Sequence, residues 1–151
     1  SNCKSKLAMI TSNGNMCIYN WEFKLIHHRK AHETLGLPHL QWCPWDNQVI
    51  ATCDNKSLKI WEVQEEDIMF IKEVEHHFPI LNIKWIPSKK AIITADGNNQ
   101  LVLWEYPSLS VIRIIKGHTN YPRYLALNAD KSALVSKSNT EMIFWKPFDQ
   151  F

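Results

Sequence analysis

The 151-residue sequence predicts an all-β fold, a WD-repeat-like β-propeller that is incomplete, with about three and a half four-stranded blades. Three observations predict it. Four segments of one pattern recur, beginning at Leu7, Val49, Ala91 and Ala133: an aliphatic run, a polar turn, then an alternating run closed by an aromatic and a polar residue. Those closures are Tyr19-Asn20, Trp61-Glu62, Trp104-Glu105 and Trp145-Lys146, at intervals of 42, 43 and 41 residues. Ahead of the last three lies a second match, in which Trp42, Trp85 and Leu127 take the same place, and ahead of that a histidine: His32, His77 and His118. Four strands per unit of roughly 40 to 45 residues, with a Gly-His-like start and a Trp-Asp-like end, is the WD-repeat signature.

Taken in order, residues 7–20 supply the last two strands of one repeat. The first full blade, 22–63, has strands at 22–29, 37–43, 48–53 and 57–63; the second, 68–106, at 68–75, 80–86, 90–95 and 100–106; the third, 109–147, at 109–115, 121–127, 131–137 and 141–147. Within 64–77, Glu, Ile, Met and Lys would suit a helix, but the repeat register places a strand there. Asn13-Gly14, Asp54-Asn55 and Asp96-Gly97 suit turns with positive φ, and Pro44 and Pro87 end strands where no ladder donor is wanted. The pattern begins in mid-repeat and the first residue is Ser, which predicts a piece of a longer protein whose two flat apolar faces make it poorly soluble.

Composition narrows the function classes. With 45% hydrophobic residues, 21% charged and no apolar run near the length of a membrane helix, the chain reads as a globular domain inside the cell, with no membrane partner. A net charge of +2 is too slight for a nucleic-acid partner. Cys3, Cys17, Cys43 and Cys53 lie far apart, which suggests neither a zinc site nor a disulfide framework. His27, His28 and His32 have metal-like spacing, but no Cys or carboxylate pattern completes a site, and a solvated basic loop is the better reading. No phosphate-binding glycine loop, nucleophile elbow or zinc-protease motif occurs, so no enzyme, cofactor, metal or small-molecule substrate is expected.

The repeating polar residues are expected to be structural. His32, His77 and His118, a strand hydroxyl such as Thr52 or Thr94, and the indoles of Trp61, Trp104 and Trp145 can form buried hydrogen-bond chains closed by Asp54 or Asp96. Function is then expected on the face where the loops leading into the innermost strands meet those leaving the second strands, a setting suited to extended peptides.

Two stretches are more specific than a generic repeat. Residues 39–52, containing W-C-P-W at 42–45, and residues 100–119, containing L-W-E-Y-P at 103–107, closely resemble the C-terminal half of the Fizzy and Fizzy-related proteins, the WD-repeat co-activators of the anaphase-promoting complex. The resemblance covers nearly the whole chain, and its divergence is similar to that of the meiosis-type branch, which includes the insect Cortex proteins. It implies an adaptor in cell division, in nucleus and cytoplasm, that recruits degron-bearing substrates to subunits of that ubiquitin ligase. It also implies two degron sites. Where the family contacts the KEN box, this chain has Ser12, the shortened turn Ala51–Asp54, Pro79 and Tyr121, with Arg123 close by, which implies weak KEN recognition. Where the family pairs an acid with the destruction-box arginine, this chain has Thr140, with Glu141 one position on. Tyr121, Arg123, Thr140 and Glu141 are therefore the candidate peptide-binding residues. The family's C-box and Ile-Arg tail have no counterpart in these residues. The alternative is a WD-repeat scaffold without degron recognition.

Overall fold

A computed structural model describes residues 6–33 and 36–145. Among them it shows fourteen strands, a short 3-10 turn at Pro87–Lys89 and no α-helix. The strands are β1 (Leu7–Ile10), β2 (Asn15–Tyr19), β3 (Leu25–Lys30), β4 (His39–Trp42), β5 (Val49–Cys53), β6 (Ser57–Val63), β7 (Ile68–Glu75), β8 (Ile80–Ile86), β9 (Ala91–Asp96), β10 (Gln100–Glu105), β11 (Val111–Lys116), β12 (Tyr124–Leu127), β13 (Leu134–Lys137) and β14 (Met142–Trp145). The ambiguous segment is strand β7, because its backbone pairs with β6 from Ser57↔Glu75 to Val63↔Ile68.

All pairing is antiparallel, and it sorts the strands into four sheets: β1-β2-β3, β4-β5-β6-β7, β8-β9-β10-β11 and β12-β13-β14. This corrects the grouping into blades 22–63, 68–106 and 109–147. Those spans are sequence repeats, and each sheet is one strand out of phase with them. The first strand of a repeat pairs with the sheet before it: β3 with β2, β7 with β6, β11 with β10. A return of four or five residues after the third strand closes each of these antiparallel hairpins locally. The first sheet accordingly has no inner strand and the last no outer strand among the described residues.

The core lies between the sheets. One cluster joins the first two sheets through Met16 and Ile18 on one side and Ile50, Trp61 and Val63 on the other. A second joins the middle sheets through Ala51, Leu58 and Ile60 against Ile83, Ile92, Val102 and Trp104. The third sets Ile93, Leu101 and Leu103 against Leu125, Leu134 and Trp145. Alternate residues of one strand serve opposite clusters, so β5 and β9 are buried along their whole length. Trp61, Trp104 and Trp145 are thus wedges between successive sheets. Edge apolar residues stay open: Leu7 and Met9 on β1, Met142 and Phe144 on β14.

Turn chemistry differs in part from expectation. Gly14 takes φ +82, and a Cβ there would lie 2.0 Å from the His32 carbonyl oxygen, so the position needs glycine. In the β9–β10 turn the left-handed residue is Asn99 rather than Gly97. The β5–β6 turn needs none, because Asp54 Oδ1 accepts hydrogen bonds from the backbone N–H of Lys56 and Ser57 at 2.8 and 2.9 Å.

Candidate functional site

The buried polar chains come first, since they set the loops around the site. In the second sheet, Thr52 on β5 stands opposite the indole of Trp61 on β6. Trp61 Nε1 donates to Thr52 Oγ1 at 2.8 Å, and His32, from the loop after β3, meets the same oxygen through Nε2 at 2.8 Å. His32 Nδ1 lies 3.2 Å from Asp54 Oδ2. The carboxylate favours the proton on Nδ1, so the Thr52 hydroxyl donates to Nε2 and accepts from the indole. Burial is the main force holding the His32 pKa below its ordinary value, with Asp54 opposing it.

In the third sheet the expected His77 is exposed, and the histidine in that place is His76. Pairing of β7 runs on until the His76 N–H donates to Lys56 O at 2.6 Å, which turns the next side chain outward. The chain here is broken. Trp104 Nε1 donates to Thr94 Oγ1 at 3.0 Å, but among the described residues His76 Nε2 has no hydrogen-bond partner, standing 3.7 Å from Asp96 Oδ2. The turn from Asp96 to Gln100 is one residue longer than that from Asp54 to Ser57, and Gln100 Nε2 donates to Asp96 Oδ2 at 2.9 Å in the histidine's stead.

The last sheet divides the aspartate's work between two residues. Trp145 Nε1 donates to Ser136 Oγ at 2.8 Å, and His118 Nε2 meets that oxygen at 2.5 Å. Ser138 stands where the repeat has Asp, and its Oγ accepts from the N–H of Thr140 and Glu141 at 3.3 and 3.2 Å, clamping the turn. Glu141 orients the histidine, with Oε1 3.1 Å from His118 Nδ1 and 2.5 Å from the Thr119 N–H. That backbone donor chiefly holds the Glu141 carboxyl below its usual range. Glu141, read from the sequence as a degron partner, is therefore first a partner of His118, with its side chain a quarter exposed. Thr140 is exposed at the tip of the same turn.

A groove of about 380 Å³ opens at the leading ends of inner strands β4, β8 and β12. Leu37, Ile80 and Leu81 give it apolar walls, and His39, Asn55 and Arg123 supply polar groups. Arg123 is fixed by its backbone: its N–H donates to Lys137 O at 2.9 Å, and its carbonyl accepts from Asn82 Nδ2 at 2.8 Å, tying the last two sheets. Among the described residues no carboxylate forms an ion pair with its guanidinium. Burial depresses the pKa of His39, which keeps that side chain an uncharged donor or acceptor at neutral pH. Of the four candidates, Arg123 lines this groove, with Tyr124 beside it. Tyr121 is 47% exposed and stands outside the lining, and Thr140 and Glu141 belong to the β13–β14 turn. Leu37, Asn55 and Leu81 escaped sequence reasoning, since only the packing of three sheets brings them together.

The basic run is a strand rather than a solvated loop. Arg29 reaches over the Trp61 ring at 5.5 Å and donates to Ile68 O, His27 Nε2 meets Glu65 O, and His32 is committed to its chain. The motifs of residues 42–45 and 103–107 meet in one aromatic cluster. Trp45, Trp85 and Tyr106 lie edge to face with ring centroids 5.2 to 6.0 Å apart.

Sheets of three and four antiparallel strands, wedged by tryptophans and pinned by His-hydroxyl-Trp chains, define part of a WD-repeat propeller. Residues 23–62 match the family model described as "WD domain, G-beta repeat". A solved chain from "Crystal Structure of Mitotic Checkpoint Complex" superposes with a TM-score of 0.82 at 23% identity, over 93% of this chain and 45% of that one. The present chain thus spans about half the length of that relative, and at this identity the likeness shows the fold. A comparison with curated proteins finds no match.

Proposed function

We propose that this chain is the peptide-recruiting portion of a Fizzy-type WD-repeat adaptor, which carries out no chemistry itself and brings degron-bearing proteins to the anaphase-promoting complex in mitosis or meiosis, in nucleus and cytoplasm. The groove at the leading ends of β4, β8 and β12 carries the reading: Leu37, Ile80 and Leu81 give it apolar walls for the leucine of a degron, and Asn55 and His39 offer polar groups to an extended peptide backbone. The W-C-P-W and L-W-E-Y-P resemblance supports the type of adaptor. The test is fluorescence anisotropy with labelled peptides on the full chain. An R-x-x-L peptide binds in the millimolar to micromolar range and weakens with salt, while a KEN peptide binds far more weakly. Equal binding of the two refutes the proposal.

One observation favours a scaffold that bridges proteins without reading degrons. Oε1 of Glu141, the acid nearest the expected arginine site, is already bound by His118 and Thr119. Absence of R-x-x-L binding, with the fold intact by circular dichroism, selects that reading.

A further inference from the structure

At the opposite end of the inner strands lies a second groove of about 240 Å³. Its floor is made by equivalent positions of three successive sheets, Trp42, Trp85 and Leu127, so it runs across all of them rather than nesting in one loop. Trp85 Nε1 donates to Gln41 O at 3.0 Å, which joins β8 to β4 and satisfies that indole. Two lysines border it, Lys84 on β8 and Lys131 in the loop before β13. Three lysines elsewhere have partners of their own: Lys59 pairs with Glu73, Lys30 reaches Asn13 O, and Lys137 lies over the Tyr124 ring. Among the described residues Lys84 and Lys131 form no ion pair. The nearest acid in sequence, Asp130, turns into its own loop, where its Oδ1 accepts from Ser132 N and Ser132 Oγ.

We propose that this second groove docks an extended acidic peptide, with an apolar side chain seated on Trp42, Trp85 and Leu127 and a carboxylate between Lys84 and Lys131. Charge complementarity chooses the occupant: an uncharged apolar segment would leave both ammonium groups at the rim unanswered. A chain with net charge +2 and only two lysines at this spot lacks the extended positive track that a nucleic-acid backbone needs. The site lies on the face opposite Arg123, so it stands or falls independently of the first groove.

The experiment is anisotropy on the full chain with a short fluorescein-labelled peptide that alternates glutamate and leucine. The double variant Lys84→Glu, Lys131→Glu weakens binding by about tenfold or more, the sum of two reversed pairs at a partly exposed rim. The milder Lys84→Gln, Lys131→Gln gives a smaller loss of the same sign, while Arg123→Glu leaves affinity unchanged. A peptide with glutamine for glutamate binds about tenfold more weakly. The proposal is overturned if the double variant binds as well as the parent chain, if the glutamine peptide binds equally, if loss occurs only with Arg123→Glu, or if a single-stranded oligonucleotide competes as well as the peptide itself.

Discussion

Replacing Thr52 with valine removes one hydroxyl and keeps the shape of the side chain, which isolates the polar chain from the packing around it. That hydroxyl is fully buried, and both of its partners, Trp61 and His32, are 3% or less exposed. The substitution leaves Trp61 Nε1–H and His32 Nε2 without partners, at about 1–3 kcal/mol each, less a small gain from not burying the hydroxyl. The net expectation is about 2–4 kcal/mol. Thr94→Val in the next sheet is the internal control, because there only Trp104 Nε1 loses a close partner: His76 does not reach Thr94. Its cost is about 1–2 kcal/mol. Urea unfolding followed by tryptophan fluorescence measures both as shifts in midpoint at constant slope. In a Trp61→Phe background the Thr52→Val cost falls by about 1 kcal/mol, since one of the two orphans no longer exists. Equal losses for Thr52→Val and Thr94→Val would show that the hydroxyls act through packing, and would refute the directional chain from indole to histidine.

Three other outcomes are expected. Burial lowers the pKa of His32, His39 and His76 in the fold, so below the ordinary histidine value the unfolded chain binds more protons than the folded one. Stability is therefore full above about pH 6.5 and declines as pH falls from there, seen as a dropping Tm; the lowered carboxyls of Glu105 and Glu141 act only in a more acid window, below about pH 4.5. A Tm that rises on acidification from neutral pH contradicts this. Gly14→Ala forces a Cβ onto the His32 carbonyl at an unfavourable φ and costs about 2 kcal/mol or more in the same urea assay, while Gly97→Ala, whose Cβ would lie 3.2 Å from Pro79 Cδ, costs less. Glu141→Gln lowers the Tm, and adding Ser138→Asp restores part of it by returning the histidine-orienting carboxylate to the place that Asp54 holds in its own sheet; a second drop instead of recovery would show that the two residues do not share one role.

Much of the fold was legible because a propeller writes its geometry as a period. Trp61, Trp104 and Trp145 recur at the spacing of the sheets they wedge, and the strand hydroxyls of Thr52, Thr94 and Ser136 stand nine or ten residues ahead of them, within reach of the indole across one hairpin. The choice between His76 and His77 was not legible, since it depends on how far β7 stays paired before the chain turns. Nor was the division of labour between Ser138 and Glu141. A turn records which residues are near one another, but not which carboxylate oxygen reaches a histidine twenty-three residues away.

By itself, the sequence determined the strand count per repeat, the aliphatic runs that make β5 and β9 buried on both faces, and the anchors between sheets, because local pairing and side-chain period follow from neighbouring residues. Only the tertiary structure decided that the first three sheets take their outer strands from the following repeat, and that Arg123 faces one groove while Lys84 and Lys131 face another. Both depend on residues from different sheets approaching one another, and the relative placement of packed sheets is set by how whole faces fit rather than by any short stretch of chain.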